Sequence, residues 1–118
     1  MNGPYDFTSN EIDSEVTLGK IGNYALGKMN EGTFIVQYVG RSDTDLNSEL
    51  KQNLDPKYPK FKFSYTTTIK QAFEKECRNY HDFGGKEQLG NKIHPDRPNA
   101  MTTLKCPVAN CTELSGAP

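Results

Sequence analysis

The sequence predicts an α+β domain in which a small three-stranded antiparallel sheet, made of a hairpin plus a third strand, packs with two or more helices. The prediction depends on two observations. A pair of strand-like segments is joined by a short turn, and the clearest helical pattern in the chain follows a third strand-like segment. The 118 residues are enough for one domain with one hydrophobic core.

The hairpin is predicted over the first half of this domain. Residues 22–29 have the pattern of a strand that contains two glycines, and residues 30–32 form a turn. Residues 33–39 are rich in β-branched and aromatic side chains, which is typical of a second strand. Because the connection is so short, the two strands should be antiparallel neighbours.

Two helices and the third strand follow the hairpin. A short helix is predicted at about 45–53, with a buried line of leucines at every fourth position that ends at Leu54. Residues 61–65 alternate aromatic and polar side chains, which is the pattern of a half-buried strand. A long helix is predicted at about 68–83, where apolar residues recur on one side and a glycine pair follows.

The predicted domain spans residues 19–98, between two segments of different composition. Residues 1–18 hold four acidic and no basic residues, which predicts a flexible acidic arm. Residues 99–118 are small and polar, which predicts a flexible C-terminal tail. The formal charge of −1 is not typical of a nucleic-acid-binding protein. Residues 51–80 hold seven basic residues against three acids, so both a phosphate-bearing partner and a merely solvated charged surface remain open.

The cysteines and the hydropathy of the chain indicate its compartment. An odd number of cysteines after a polar, acidic N-terminus is more typical of the cytoplasm, or of another intracellular reducing compartment, than of a disulfide framework. No apolar segment approaches the ~20 residues that span a bilayer, so we expect no membrane partner. Cys106 and Cys111 have a spacing found in zinc sites, but such a site needs four ligands and the sequence offers no second pair.

One acidic residue interrupts the apolar side of the long helix. Glu76 lies seven positions after Ile69 and four after Ala72, so it points in the same direction as these apolar residues. A carboxylate that faces a core is costly unless a cation, a metal or a hydrogen-bond network receives it. Two interpretations stay open, an ion pair with a lysine or arginine and a metal site.

Two tripeptides around the hairpin turn point to a family. Residues 22–24 read Gly-Asn-Tyr and residues 38–40 read Tyr-Val-Gly, and the long helix that carries Glu76 follows the third strand. Over residues 20–98 the chain thus resembles the GIY-YIG nuclease family, in which Gly-Ile-Tyr and Tyr-Ile-Gly or Tyr-Val-Gly occupy the two strands. Strand tyrosines are also common as ordinary cross-strand aromatic pairs, and this alternative stays open.

The resemblance implies a metal-dependent DNA endonuclease that hydrolyses phosphodiester bonds. It implies one divalent cation, Mg²⁺ or Mn²⁺, held by Glu76, which neutralises the scissile phosphate and stabilises charge on the leaving oxygen. Tyr24 would deprotonate or orient the attacking water, and Tyr38 would form hydrogen bonds in the same cluster. Asn91 would be a neutral positioning group. DNA is the implied partner, and a further protein partner that supplies affinity for the substrate is compatible with the near-neutral charge of the chain.

The sequence departs from the family pattern on the first helix. The family has an arginine there that contacts the phosphate, often followed by a histidine, whereas this chain has Glu49 and Asn53. A carboxylate has the wrong sign for a phosphate clamp, so we expect Arg41 or else Lys51 to supply the cation. Two functions therefore remain, a weakened endonuclease and a catalytically impaired domain that binds nucleic acid or a protein partner.

Overall fold

The computed structural model describes residues 1–82. The predicted α+β class is confirmed, and within these residues the sheet has four strands, one more than the sequence predicts. In chain order the elements are β1 (Asn2–Asp6), α1 (Ser9–Glu15), β2 (Gly22–Asn30), β3 (Thr33–Ser42), α2 (Leu46–Gln52), β4 (Lys60–Tyr65) and α3 (Ile69–Asp82).

The strands lie in the order β1-β4-β2-β3, and every neighbouring pair is antiparallel. The predicted hairpin is β2–β3, in which Asn30 pairs with Thr33 across a two-residue turn. Both turn residues have positive φ, 53° at Glu31 and 81° at Gly32, as a type I′ turn requires. Such a turn has the same twist as the strands that it joins, so it sets the register of the hairpin.

The N-terminal segment is part of the fold, which corrects the prediction of a flexible arm at residues 1–18. β1 pairs with β4, and α1 begins after Thr8, whose hydroxyl accepts a hydrogen bond of 3.2 Å from the backbone N–H of Glu11. Phe7, Ile12 and Val16 are buried in the core. Their burial outweighs the acidic composition because the carboxylates can remain at the surface. The domain therefore begins at β1 and not at residue 19.

The sheet is the middle of three layers. One face of the sheet packs on α1 and α2. Ile12 of α1 and Leu50 of α2 belong to the same core cluster as Leu26 of β2. The other face packs on α3, whose buried Tyr80 belongs to one core cluster with Ala25 of β2 and Val39 of β3. Neighbouring residues of a strand point to opposite faces, so β2 serves both layers and is buried on both sides over its first half.

The two predicted helices begin within a residue of the expected positions, and α2 also ends within a residue of its expected end. Asp45 caps α2 and Thr68 caps α3, each by accepting a backbone N–H bond of 3.1 Å. Leu54 was predicted to be buried, but it is 40% exposed because α2 ends two residues before it. Within residues 1–82 no helix is both long enough and apolar enough to cross a bilayer. Asn91, Cys106, Cys111 and the predicted tail lie outside the described residues.

Candidate functional site

A pocket of about 290 Å³ opens where the end of β3 meets α2 and α3. Four of the five residues proposed from the sequence as catalytic, namely Tyr24, Tyr38, Arg41 and Glu76, line this pocket. The fifth, Asn91, lies beyond residue 82. The pocket is lined by Tyr24, Tyr38, Gly40, Arg41, Ser42, Asp43, Thr44, Glu49 and Glu76.

Both glycines of the tripeptides are required by close packing. Gly40 pairs with Tyr24 across the strands, and a Cβ at residue 40 would lie only 2.2 Å from Cζ and 2.3 Å from Oη of that tyrosine. The Tyr24 ring therefore crosses β3 at the one residue that has no side chain, and its hydroxyl reaches the pocket. A Cβ at Gly22 would lie 2.2 Å from the carbonyl oxygen of Ser64 in β4. Glycine at these positions follows from contact distances.

The hydroxyl of Tyr24 is bonded to the residue that departs from the family pattern. Tyr24 Oη donates to Glu49 Oε2 at 3.1 Å, and Asn53 Nδ2 donates to the same oxygen at 3.0 Å and to the carbonyl oxygen of Glu49 at 2.8 Å. Burial and then the charge of Glu49 raise the pKa of Tyr24 above its ordinary value. Tyr24 is therefore a neutral hydrogen-bond donor, which does not suit the phenolate role that the resemblance implies.

Tyr38 lies beside Tyr24 as a stacking partner. The two ring centroids are 6.4 Å apart with an angle of 17° between the planes, and Tyr58 packs on Tyr38 at 6.0 Å. Burial raises the pKa of Tyr38, and Glu76 and Glu49 raise it further. Both interpretations of the strand tyrosines are thus compatible with the geometry, because the rings form an aromatic pair and also line the pocket.

Glu76 is paired with an arginine, as one of its two interpretations requires. Arg41 Nη1 donates to Glu76 Oε1 at 2.6 Å, and Arg41 Nε donates to Asp43 Oδ1 at 2.9 Å. The guanidinium also lies over the ring of Phe73, at 5.2 Å from its centroid. Only about a tenth of the Arg41 and Glu76 side chains is exposed. Arg41 therefore links the end of β3 to α3 through Glu76, while Asp43 holds the other side of the guanidinium.

Burial dominates the electrostatics of Glu76. It raises the pKa of this carboxyl from 4.5 to about 7, although the charge and the hydrogen bond of Arg41 oppose the change. Burial alone would lower the pKa of Arg41, but the hydrogen bonds that Arg41 donates to Asp43 and Glu76, together with the charges of these two acids, raise its pKa above the ordinary value. The carboxyl of Glu76 therefore takes up a proton more readily than an exposed glutamate does, while the guanidinium keeps its charge.

The side chains present suit a Mg²⁺ or Mn²⁺ ion that is shared with a substrate. Among residues 1–82 no cluster of three or more His, Cys, Asp and Glu side chains could hold a metal alone. Mg²⁺, however, commonly binds through one or two carboxylates together with substrate phosphates and water. Glu76 and Asp43 offer such hard oxygen atoms on the pocket wall. The donor types therefore fit, provided that Arg41 shares or releases Glu76 Oε1.

Among residues 1–82, the lining of the pocket carries more negative than positive charge. In this part of the chain Asp43, Glu49 and Glu76 line it together with one cation, Arg41. Lys51, the other candidate cation, pairs with Asp13 at 2.6 Å and is not part of the lining. Sequence reasoning did not single out Asp43 as part of the site. The signal is its place directly after β3, which continues past the predicted end at residue 39 to Ser42.

No family model, curated protein or solved structure shows a significant match to the chain. The case for a function therefore depends on the geometry of the pocket and on the resemblance of the two tripeptides.

Proposed function

We propose that this chain is a metal-dependent endonuclease of the GIY-YIG type that hydrolyses phosphodiester bonds in DNA. The observation that carries the proposal is the convergence of side chains that are distant in the sequence. Tyr24, Tyr38 and Arg41 of the hairpin and Glu76 of α3 line one pocket. DNA as the partner and a reducing, cytoplasmic setting belong to the same proposal.

Each side chain has a role in this reaction that its contacts support. When bound, Mg²⁺ or Mn²⁺ supplies positive charge at the scissile phosphate and at the leaving oxygen. Glu76 would hold the ion together with the substrate phosphate. Arg41 lies beside Glu76, so the same guanidinium can contact a phosphate oxygen, a group that it matches in geometry. Tyr24 orients the attacking water through its hydroxyl, and the ring of Tyr38 holds Tyr24 in place.

The charge of the pocket favours a second candidate function. The three carboxylates and one guanidinium that residues 1–82 contribute to its lining repel a phosphate unless a metal compensates for them. A domain that has lost the chemistry and binds nucleic acid or a protein partner would have the same fold and the same Arg41–Glu76 pair. This candidate predicts association with DNA or protein without cleavage.

A plasmid nicking assay with Mg²⁺ or Mn²⁺ separates the two candidates. We expect the wild-type protein to nick DNA only with the metal, and we expect both Glu76→Ala and Glu76→Gln to lower the rate by ~10²-fold or more. Glu76→Gln removes the charge but keeps the size of the side chain and an oxygen that can accept a hydrogen bond from Arg41, so it separates loss of the carboxylate from loss of the whole side chain. Glu74→Gln is the matched control, because Glu74 lies on the same helix and does not line the pocket.

The opposite result is equally informative. If the wild-type protein leaves plasmid intact at high concentration with either metal, the endonuclease proposal is wrong. A gel-shift measurement with the same DNA then tests whether the pocket belongs to a nucleic-acid binding module.

A further inference from the structure

Glu49 is held in the pocket by hydrogen bonds, although its charge is opposite to that of the arginine expected at this position as a phosphate clamp. It bonds to Tyr24 and Asn53 through the same carboxylate oxygen, at 3.1 and 3.0 Å. We propose that Glu49 accepts the proton of the Tyr24 hydroxyl, so that the two residues act as one unit on the attacking water. This inference rests on the proposed endonuclease function.

Both members of the pair are held in position by their neighbours. Asn53 follows Glu49 by one helical turn, and its amide bridges the backbone carbonyl and Oε2 of that residue, which fixes the orientation of the carboxylate. Tyr24 packs closely against Gly40 on β3 and stacks on the ring of Tyr38. A proton acceptor within hydrogen-bond reach, which is itself oriented by a third group, is the arrangement that general-base catalysis needs.

Tyr24 needs a neighbouring proton acceptor if its hydroxyl is to act as a base. An ordinary tyrosine has a pKa of about 10, and burial and Glu49 raise that of Tyr24 further. Its hydroxyl can therefore not take up a proton from water at neutral pH unless it passes on its own. A carboxylate can receive that proton, whereas an arginine has no acceptor atom. The residue at position 49 therefore decides whether a proton can leave Tyr24.

The proposed step is balanced as follows. The water oxygen bonds to phosphorus while its proton moves to Tyr24 Oη, and the original hydroxyl proton of Tyr24 moves to Glu49 Oε2. The bond from phosphorus to the leaving oxygen breaks, and that oxygen keeps the electron pair and takes a proton from solvent. Glu49 then releases its proton to solvent, so that one water is consumed for each phosphodiester bond cleaved.

Substitutions of Glu49 distinguish this role from a lost phosphate clamp. Glu49→Gln keeps the size of the side chain and cannot accept the proton, so we expect kcat to fall by ~10² to 10³-fold. We expect KM for DNA to change by less than about threefold, because the interaction acts in the transition state. Glu49→Arg should also lose activity. A lost clamp predicts the reverse, namely faster cleavage by Glu49→Arg and little loss in Glu49→Gln.

A double-mutant cycle tests whether the two residues act as a unit. Tyr24→Phe keeps the ring and removes the hydroxyl, and we expect it to be as impaired as Glu49→Gln. The variant with both substitutions should be no slower than the slower single variant, because removing either member already breaks the proton path. Two independent structural effects would instead multiply. Glu74→Gln removes the same charge outside the pocket and should cleave at the wild-type rate.

The outcomes separate this inference from the proposed function. Cleavage that requires Glu76 but persists within about threefold in Glu49→Gln or in Tyr24→Phe overturns the inference and leaves the endonuclease standing. Faster cleavage by Glu49→Arg does the same. If the wild-type protein does not cleave, the proposed function and this inference are both wrong. Circular dichroism and thermal unfolding establish that each variant is folded, and Tyr24→Phe decides the matter if Glu49→Gln is not.

Discussion

Gly40 lies directly against the ring of Tyr24, so Gly40→Ala is a sharp test of how the pocket is built. An added Cβ would lie 2.2 Å from Cζ, 2.3 Å from Oη and 2.7 Å from Cε1 of Tyr24. Carbon atoms in contact are normally ~3.5 to 4.0 Å apart. The ring or the strand must therefore move by more than about 1 Å. The ring has little room to do so, because Tyr24 is only 1% exposed and stacks on Tyr38.

The cost of this substitution follows from two losses. Forcing an extra methyl group into a packed site costs about 1 to 3 kcal/mol, and a rigid aromatic neighbour places Gly40→Ala at the upper end of that range. Moving the ring also weakens the bond from Tyr24 to Glu49, a bond to a charged group that is worth about 1.5 to 3 kcal/mol. We expect the free energy of unfolding to fall by about 3 kcal/mol, which lowers Tm by about 10 °C or more.

A double-mutant cycle with Tyr24→Leu assigns the cost to the contact. Urea unfolding would be measured for the wild-type protein, for each single variant and for the pair. Because Tyr24→Leu removes the ring atoms near residue 40, Gly40→Ala should cost less than about 1 kcal/mol in that background, which gives a coupling of about 2 kcal/mol. Equal costs in the two backgrounds, or a cost below about 0.5 kcal/mol in the wild type, would refute the packing argument.

Two further predictions concern stability. Ile12→Ala should lower the free energy of unfolding in urea by about 2 to 5 kcal/mol, because Ile12 is fully buried. Leu18→Ala, at a residue that is 66% exposed, should change it by less than about 0.5 kcal/mol. An equally small effect of Ile12→Ala would instead support a flexible N-terminal arm. Folding raises the pKa of the Glu76 carboxyl from 4.5 to about 7. Between these two pH values the folded state therefore binds more protons than the unfolded state, so the free energy of unfolding falls as the pH rises from 4.5 to about 7. The effect is on the order of 3 kcal/mol at most, and Glu76→Gln should flatten the pH dependence of unfolding between pH 4.5 and 8; an unchanged slope would contradict the buried carboxyl.

The N-terminal segment shows where composition misleads. Acidic residues dominate the composition of residues 1–18, and the prediction of a flexible arm depends on that composition. The informative feature was the spacing of Phe7, Ile12 and Val16, which places three apolar side chains toward the sheet. Strand β1 has a weaker signal still, because it includes a proline and only one partly buried residue, Tyr5. An edge strand that pairs on one side needs little hydrophobic pattern of its own.

The sequence by itself determined the type and order of β2, β3, α2, β4 and α3. These elements are specified by local physics, namely the period of the apolar residues, the turn at Glu31 and Gly32, and the caps at Asp45 and Thr68. It also determined that Glu76 faces inward, because a helical period places it among apolar residues. Each of these features depends on residues that are close together in the chain.

Only the tertiary structure decided which partners the polar side chains have. Arg41 and Glu76 are 35 residues apart, and Tyr24 and Glu49 are 25 residues apart. Their contacts require the register of the hairpin and the placement of α2 and α3 on opposite faces of the sheet. No local pattern encodes these distances. The sequence alone therefore indicates that Glu49 replaces the arginine of the family pattern. Its hydrogen bond with Tyr24 is seen only in the tertiary structure.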